Sequence, residues 1–152
     1  MRKLTLKEAE KMVDAAMEHC KKIGWEASIA VVDEGGYVVA LKRMDGAMVI
    51  TADIAVKKAF TGATFRFRTE TLKAIMEPGE MAFQLNTLDP RYCIVKGGIP
   101  VKEGDDVLGG IGCSGAGSAD LDNEVCEAGL KATGFTTEIK NKYADYFAKL
   151  QK

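Results

Sequence analysis

The chain has 152 residues, about the length of one domain, and 47% of them are hydrophobic while 28% are charged. This composition excludes a disordered or fibrous protein, because such chains lack the apolar residues that a core requires. The 21 Lys and Arg residues are balanced by 22 Asp and Glu residues, so no excess positive charge is available to neutralise nucleic-acid phosphates. We therefore expect a single domain, 1–152, that binds no nucleic acid.

The beginning of the chain and its cysteines predict a cytoplasmic protein. The first eight residues are charged and periodic, and they lack the apolar stretch of a secretion signal. No run of 18 apolar residues is present, so we expect no membrane span. The cysteines form no C-x-x-C motif and lie in apolar segments, which is typical of free thiols in a reducing compartment: Cys20, Cys93, Cys113 and Cys126.

A capping box predicts where the first helix begins. Thr5 and Glu8 have the spacing for reciprocal hydrogen bonds to free backbone N–H groups, and the apolar residues behind them recur every 3.6 residues up to Gly24. Two β-rich runs, 28–32 and 37–41, then flank a glycine-bearing turn. Such runs predict an antiparallel hairpin.

The remainder of the chain mixes helical and strand patterns. In order, these predict helices over 51–67 and 69–76, strands over 93–95, 99–101 and 107–113, and helices from about Ala119 and over 137–150. With the hairpin this gives about five strands, joined by short turns and grouped in two blocks. The grouping predicts an α+β fold in which helices flank an antiparallel sheet.

The segment Gly110–Gly115 fits the pattern G-x-G-x-x-G, which in a βαβ unit binds dinucleotides. Here the following helix leads to another helix instead of a parallel strand, so we exclude a dinucleotide site. Gly110 and Gly112 allow either tight packing of strand against helix, which we favour, or the close approach of a ligand. Ser114 has no base at a recognisable spacing, so we do not expect a nucleophile there.

His19 is the only histidine in the chain. A single histidine excludes a Ser-His-Asp triad and any multi-histidine metal site within one chain. It lies at the edge of the apolar stripe of the first helix, where it is either a half-buried surface residue or accessible to a flat ligand. One histidine is sufficient as an axial ligand of haem iron.

The densest polar set lies near the end of the hairpin and the start of the second helix: Arg43, Asp45, Asp53, Lys57 and Lys58. Such a set is able to hold an acid or to polarise a carbonyl group. The alternative, which needs no ligand, is a cluster of structural ion pairs.

Several sequence blocks resemble the GlcG/HbpS family, which includes the C-terminal domain of PduO-type corrinoid adenosyltransferases. The segment AVVDEGGYVVA followed by RMDGA resembles the opening block of the family. Further similar blocks follow in the same order: the central helix over 53–59, the late block over 97–101 and 109–115, and the closing helix over 122–130. The resemblance runs from about Leu4 to Ala132.

The resemblance implies a profilin-like α+β fold and a homo-oligomer, often an octamer. It also implies haem binding in some members, with a histidine as iron ligand, and only His19 is available for that role. A corrinoid is possible through the PduO-like members, although the fused adenosyltransferase domain is absent, so we do not expect corrinoid adenosylation. The helix over 137–150 is an addition to the family pattern.

Three functional hypotheses follow. The first is a cytoplasmic, oligomeric binding protein for haem or a related tetrapyrrole, with His19 on the iron. The second is an enzyme or accessory factor for an organic acid, an aldehyde or a diol-derived metabolite. Its pocket is expected near Arg43 and Asp45, and the candidate lining residues are Arg43, Asp45, Lys58, Gly110, Gly112 and Ser114. The third is a structural role in assembly, in which the helix over 137–150 takes part.

Overall fold

The computed structural model describes residues 1–150. Its helices are α1 (Leu6–Lys22), α2 (Thr51–Phe65), α3 (Lys73–Met76), α4 (Ala119–Ala132) and α5 (Lys142–Leu150). Its strands are β1 (Ser28–Asp33), β2 (Val38–Arg43), β3 (Gly98–Glu103) and β4 (Asp106–Ser114). Two short 3-10 helices, Thr69–Leu72 and Phe83–Thr87, lie between α2 and β3.

The strands form one antiparallel sheet in the order β2-β1-β4-β3. Helix α2 packs on one face of this sheet, and α1 and α4 pack on the other. The predicted α+β class with an antiparallel sheet is therefore confirmed. The prediction of about five strands is wrong, because the sheet has four.

The missing strand is the one expected over 93–95. In this segment the backbone bonds to side chains instead of to a neighbouring strand: the Cys93 N–H donates to Thr61 Oγ1 at 2.9 Å, and the Val95 carbonyl accepts from Thr69 Oγ1 at 2.7 Å. Because these hydroxyls belong to α2 and to the 3-10 helix after it, the segment is held away from the sheet.

The two faces of the sheet are packed with side chains of different size. The face toward α1 and α4 carries large apolar residues, among them the paired Val31 and Ile111 at the centre of the sheet. The face toward α2 is lined by small residues. A Cβ atom on Gly112 would lie only 2.1 Å from the carbonyl oxygen of Ala55, and one on Gly110 would lie 2.4 Å from that of Ala59. These glycines let the backbone of α2 lie directly on β4.

The helix boundaries differ from the predicted ones at the C-terminal end of the chain. The last helix begins at Lys142 and not at 137, because the Asn141 side chain accepts the backbone N–H of Tyr143 at 2.8 Å and so begins the helix there. Ile139 precedes α5 and packs against the main core, while the rings of Phe147 and Phe67 meet edge-on with their centroids 5.8 Å apart.

Two helices in the middle of the chain also differ from the prediction. The helix predicted over 51–67 ends at Phe65, and the one predicted over 69–76 is a 3-10 turn followed by α3.

The capping box at the start of α1 is present as predicted. The Glu8 backbone N–H donates to Thr5 Oγ1 at 3.1 Å, and the Thr5 N–H donates to Glu8 Oε1 at 3.0 Å. Arg2 donates two further hydrogen bonds to the Glu8 carboxylate, at 2.8 and 2.7 Å. The Arg2 guanidinium lowers the pKa of Glu8 from 4.5 to about 2.

The contact between Arg2 and Glu8 predicts that the free energy of unfolding falls in acid. Since the pKa of Glu8 is lower in the folded than in the unfolded chain, its stabilising contribution is complete above about pH 4.5 and is lost as the pH falls toward 2. We expect Glu8→Gln to lower the free energy of unfolding by about 1 kcal/mol at pH 7, since the pair is partly exposed. Urea unfolding at pH 7 and pH 3 measures both values, with Glu10→Gln as control. A difference between wild type and Glu8→Gln that is equal at both pH values contradicts this account.

Candidate functional sites

His19 lies in the last turn of α1 and contacts α4. Its Nε2 is 2.8 Å from Oε2 of Glu124, and the imidazole side chain is 32% exposed. A carboxylate accepts hydrogen bonds, so Nε2 is the donor in this contact, and in the neutral imidazole Nδ1 then carries the lone pair. The arrangement is that of a histidine whose second nitrogen is held by a carboxylate, as in many metal-ligating histidines.

Arg43 and Asp45 line an open cleft of about 420 Å³ at the end of the β-hairpin. Two of the charged side chains that line this cleft already form hydrogen bonds within the protein. Glu26 Oε1 accepts the backbone N–H of Gly46 at 3.2 Å, and Lys42 donates to Asp14 at 2.7 Å. The cleft has charges of both signs near each other and no enclosed floor.

Lys58 lies in a buried ion pair that links α2 to α4. Its Nζ donates to Asp122 Oδ2 at 2.8 Å and to the Cys113 carbonyl at 3.1 Å, and the two charged side chains are only 3% and 7% exposed. The other carboxylate oxygen of Asp122 accepts the backbone N–H of Ala116 at 3.0 Å. The pair therefore joins both helices to the end of β4.

A cleft of about 490 Å³ opens above this ion pair. We call it the Lys58 cleft. Ser114, at the end of β4, and the N-terminus of α4 form its polar part, while its outer wall is apolar and includes Trp25, Met48 and Val95. Trp25 also packs closely against Gly117, since a Cβ there would lie 2.4 Å from the indole ring.

The predicted site residues thus fall into separate places. Lys58 and Ser114 share one cleft, Arg43 and Asp45 share another, and the two clefts have no lining residue in common. His19 lines neither of them. Gly110 and Gly112 are covered by α2, where they serve the packing of helix on strand.

Asp122 is a site residue that the sequence analysis missed. It lies in the acidic first turn of α4, where negative charge also favours the helix macrodipole. The sequence signal was its spacing: Ser118, Asp122 and Cys126 are four residues apart and so share one face of the helix. Asp122 and Cys126, which are both buried, lie on the side of the helix that is turned toward the sheet.

The buried thiols next to the ion pair are not activated. Burial raises the pKa of Cys126 and of Cys113 well above the ordinary value, so both remain protonated at neutral pH. Cys126 donates to the Gly97 carbonyl at 3.3 Å.

Within residues 1–150, no cluster of three or more His, Cys, Asp and Glu side chains has the arrangement to hold a metal ion, and no helix is long and apolar enough to cross a bilayer.

Comparison with known proteins relates this fold to one family. Residues 4–131 match the family described as "Haem degrading protein HbpS-like". The chain belongs to the HbpS-like family. Protein GlcG of Escherichia coli is 35% identical over 106 residues, which are 70% of this chain and 77% of GlcG. The recognition of the GlcG/HbpS family from sequence blocks is confirmed.

Solved structures of the HbpS-like family superpose closely on this chain. A double mutant of Streptomyces reticuli HbpS matches with a TM-score of 0.80 and 35% identity, covering 86% of this chain and 87% of HbpS. A PduOC–haem complex matches with a TM-score of 0.84, covering 90% of this chain and 99% of that one. Its identity is 24%, so this likeness establishes the shared fold alone.

Proposed function

We propose that this chain binds haem or a related tetrapyrrole, with His19 as the axial ligand of the iron. The observation that carries the proposal is the geometry of His19, the only imidazole of the chain, which is partly exposed and held by Glu124. Membership of a family described by haem degradation supports it, and the same fold holds haem in PduOC.

The surroundings of His19 fit this role in two respects. Glu124 accepts the hydrogen bond from Nε2 and so fixes the orientation of the ring, with Nδ1 left for a bond to iron. Lys21 and Lys22 lie in the same last turn of α1 and supply positive charge for the two propionates of haem. Haem would supply a redox-active iron centre, which His19 would hold while Glu124 keeps the imidazole ring in place.

A hemin titration followed by absorbance tests the proposal. We expect a saturable shift of the Soret band with wild type and loss of that shifted band with His19→Ala. Glu124→Gln is expected to weaken hemin binding by about tenfold, because the carboxylate that orients the ligand is removed. The same titration with cobalamin examines whether a corrinoid is accepted.

Glu18→Gln is the matched control, since Glu18 is an exposed neighbour of His19 that accepts no hydrogen bond from residues 1–150. It should bind hemin like wild type. If His19→Ala gives the same Soret band and affinity as wild type, His19 is not the ligand. If wild type takes up hemin without saturation, the chain is not a specific haem binder.

We further propose that the protein is a cytoplasmic homo-oligomer, as the octameric arrangement implied by the family resemblance predicts. Exposed apolar side chains on the hairpin support this assembly: Tyr37, just before β2, is 69% exposed, and Val38, the first residue of this edge strand, is 51% exposed. Association through such an edge removes unpaired backbone groups and apolar surface from water together. Light scattering on the protein used for the hemin titration gives the subunit number, and the equivalence point of the titration gives the number of haems per subunit.

A further inference from the structure

Ser114 presents to the Lys58 cleft a hydroxyl group without a partner among the described residues. Ser114 is only 7% exposed, yet its Oγ makes no hydrogen bond to any of residues 1–150, and the residue lines the cleft. Its neighbour across the ladder, Ser28, differs, because the Ser28 hydroxyl is paired with Thr51 Oγ1 at 2.8 Å. The Ser114 hydroxyl, which has no partner among residues 1–150, is therefore available to a ligand atom that enters the cleft.

A second hydrogen-bond donor is available beside Ser114. The ammonium group of Lys58 has three N–H donors, and only two have acceptors among residues 1–150, namely Asp122 and the Cys113 carbonyl. In the first turn of α4 the Leu121 N–H donates to Ser118 Oγ at 3.1 Å, while the N–H of Ala119, which lines the cleft, has no partner among residues 1–150 and adds a donor. The polar part of the cleft therefore offers donors to an acceptor.

The charges around the cleft permit the acceptor to be an anion. Lys58 and Asp122 neutralise each other, and the nearby Asp120 is paired with Lys96 at 2.6 Å. A carboxylate entering the cleft thus meets no uncompensated negative charge, and the positive end of α4 favours it.

The outer wall determines the rest of the ligand. Trp25 is 47%, Met48 69% and Val95 52% exposed, so an apolar chain of a few carbon atoms removes their surface from water. We propose that the Lys58 cleft binds a small aliphatic monocarboxylate, with its oxygens on Ser114 and Lys58 and its carbon chain against Trp25, Met48 and Val95. This site is separate from His19 and does not depend on the proposed haem binding.

Trp25 provides the measurement, because it is the only tryptophan in the chain and lies in the wall of the cleft. The fluorescence of the protein is titrated with sodium butyrate at constant ionic strength, and in parallel with butyramide, which has the same shape without the charge. We expect a saturable change with butyrate and at least about tenfold weaker binding of butyramide, because hydrogen bonds to a charged acceptor are the stronger ones.

Two pairs of variants locate the ligand. Ser114→Ala should weaken butyrate binding about tenfold, while Thr87→Ala, a hydroxyl removed from an exposed turn outside the cleft, should leave it unchanged. Met48→Asp places a negative charge on the wall of the cleft at an exposed position where folding is not at risk, and should also weaken butyrate binding. Its control is Met81→Asp, since Met81 is 74% exposed and does not line the cleft.

Three results overturn the proposal. A linear fluorescence response, identical for butyrate and chloride, means that the cleft binds no carboxylate. Equal affinity for butyramide means that the charge is not recognised. Unchanged binding in Met48→Asp together with Ser114→Ala means that butyrate lies elsewhere. Hemin titrations of Ser114→Ala, and butyrate titrations of His19→Ala, should match wild type if the two sites are independent.

Discussion

Gly112→Ala is expected to lower the free energy of unfolding by about 3 kcal/mol, one of the largest losses from a single methyl group in this chain. The added Cβ would lie 2.1 Å from the Ala55 carbonyl oxygen and 2.6 Å from the Ala59 nitrogen. Both atoms belong to the backbone of α2, so the clash is relieved only if the whole helix moves away from β4. That movement separates the buried side chains of Ala55 and Ala59 from the sheet.

Gly35→Ala is the matched control for this prediction. Gly35 lies in the hairpin turn, and the nearest atom to an added Cβ is a Tyr37 ring carbon at 3.3 Å, which is free to shift because Tyr37 is exposed. We expect a change within about 0.5 kcal/mol for this variant. Urea unfolding followed by circular dichroism measures both. Equal stability losses in the two variants mean that α2 yields easily and that the close contact with β4 is not a constraint.

Features that depend on residues close together in the sequence are predicted well. The capping box of Thr5 and Glu8, the β-hairpin and the periodic face of α2 are local patterns within one element, and all are present. The absent strand at 93–95 is a different case. The apolar residues of this segment have strand propensity, but its backbone forms hydrogen bonds with the hydroxyls of two threonines. Thr61 lies 32 positions before Cys93, and Thr69 lies 26 positions before Val95. Such long-range competition has no local signal.

The same distinction applies to the candidate sites. The sequence placed Lys58 with Arg43 and Asp45 because they are near one another along the chain, but helical geometry turns Lys57 to solvent and Lys58 inward. The partner of Lys58 is Asp122, which lies 64 positions away in an acidic first turn that the helix macrodipole already favours. Only the fold places Ser114, Lys58 and Asp122 at one cleft.

The buried pair of Lys58 and Asp122 predicts a second large effect. Lys58→Met removes one partner and leaves a carboxylate that is 7% exposed without its countercharge, so we expect a loss of about 3–5 kcal/mol in the free energy of unfolding. In the double variant Lys58→Met with Asp122→Asn, the buried charge is gone, while the amide oxygen of the introduced asparagine side chain is still able to accept the Ala116 N–H. The double variant should therefore be more stable than Lys58→Met alone.

A double-mutant cycle in urea at pH 7 measures the coupling between the two side chains. The exposed pair of Lys96 and Asp120 is the control, because the same two substitutions there, Lys96→Met and Asp120→Asn, change stability by no more than about 0.5 kcal/mol each. If the effects at Lys58 and Asp122 are simply additive, the two charges do not depend on each other, and the floor of the cleft is held by the hydrogen bonds to Cys113 and Ala116 alone. Strong coupling means instead that the ion pair joins α2 to α4, so that the cleft keeps its shape whether or not a ligand is bound.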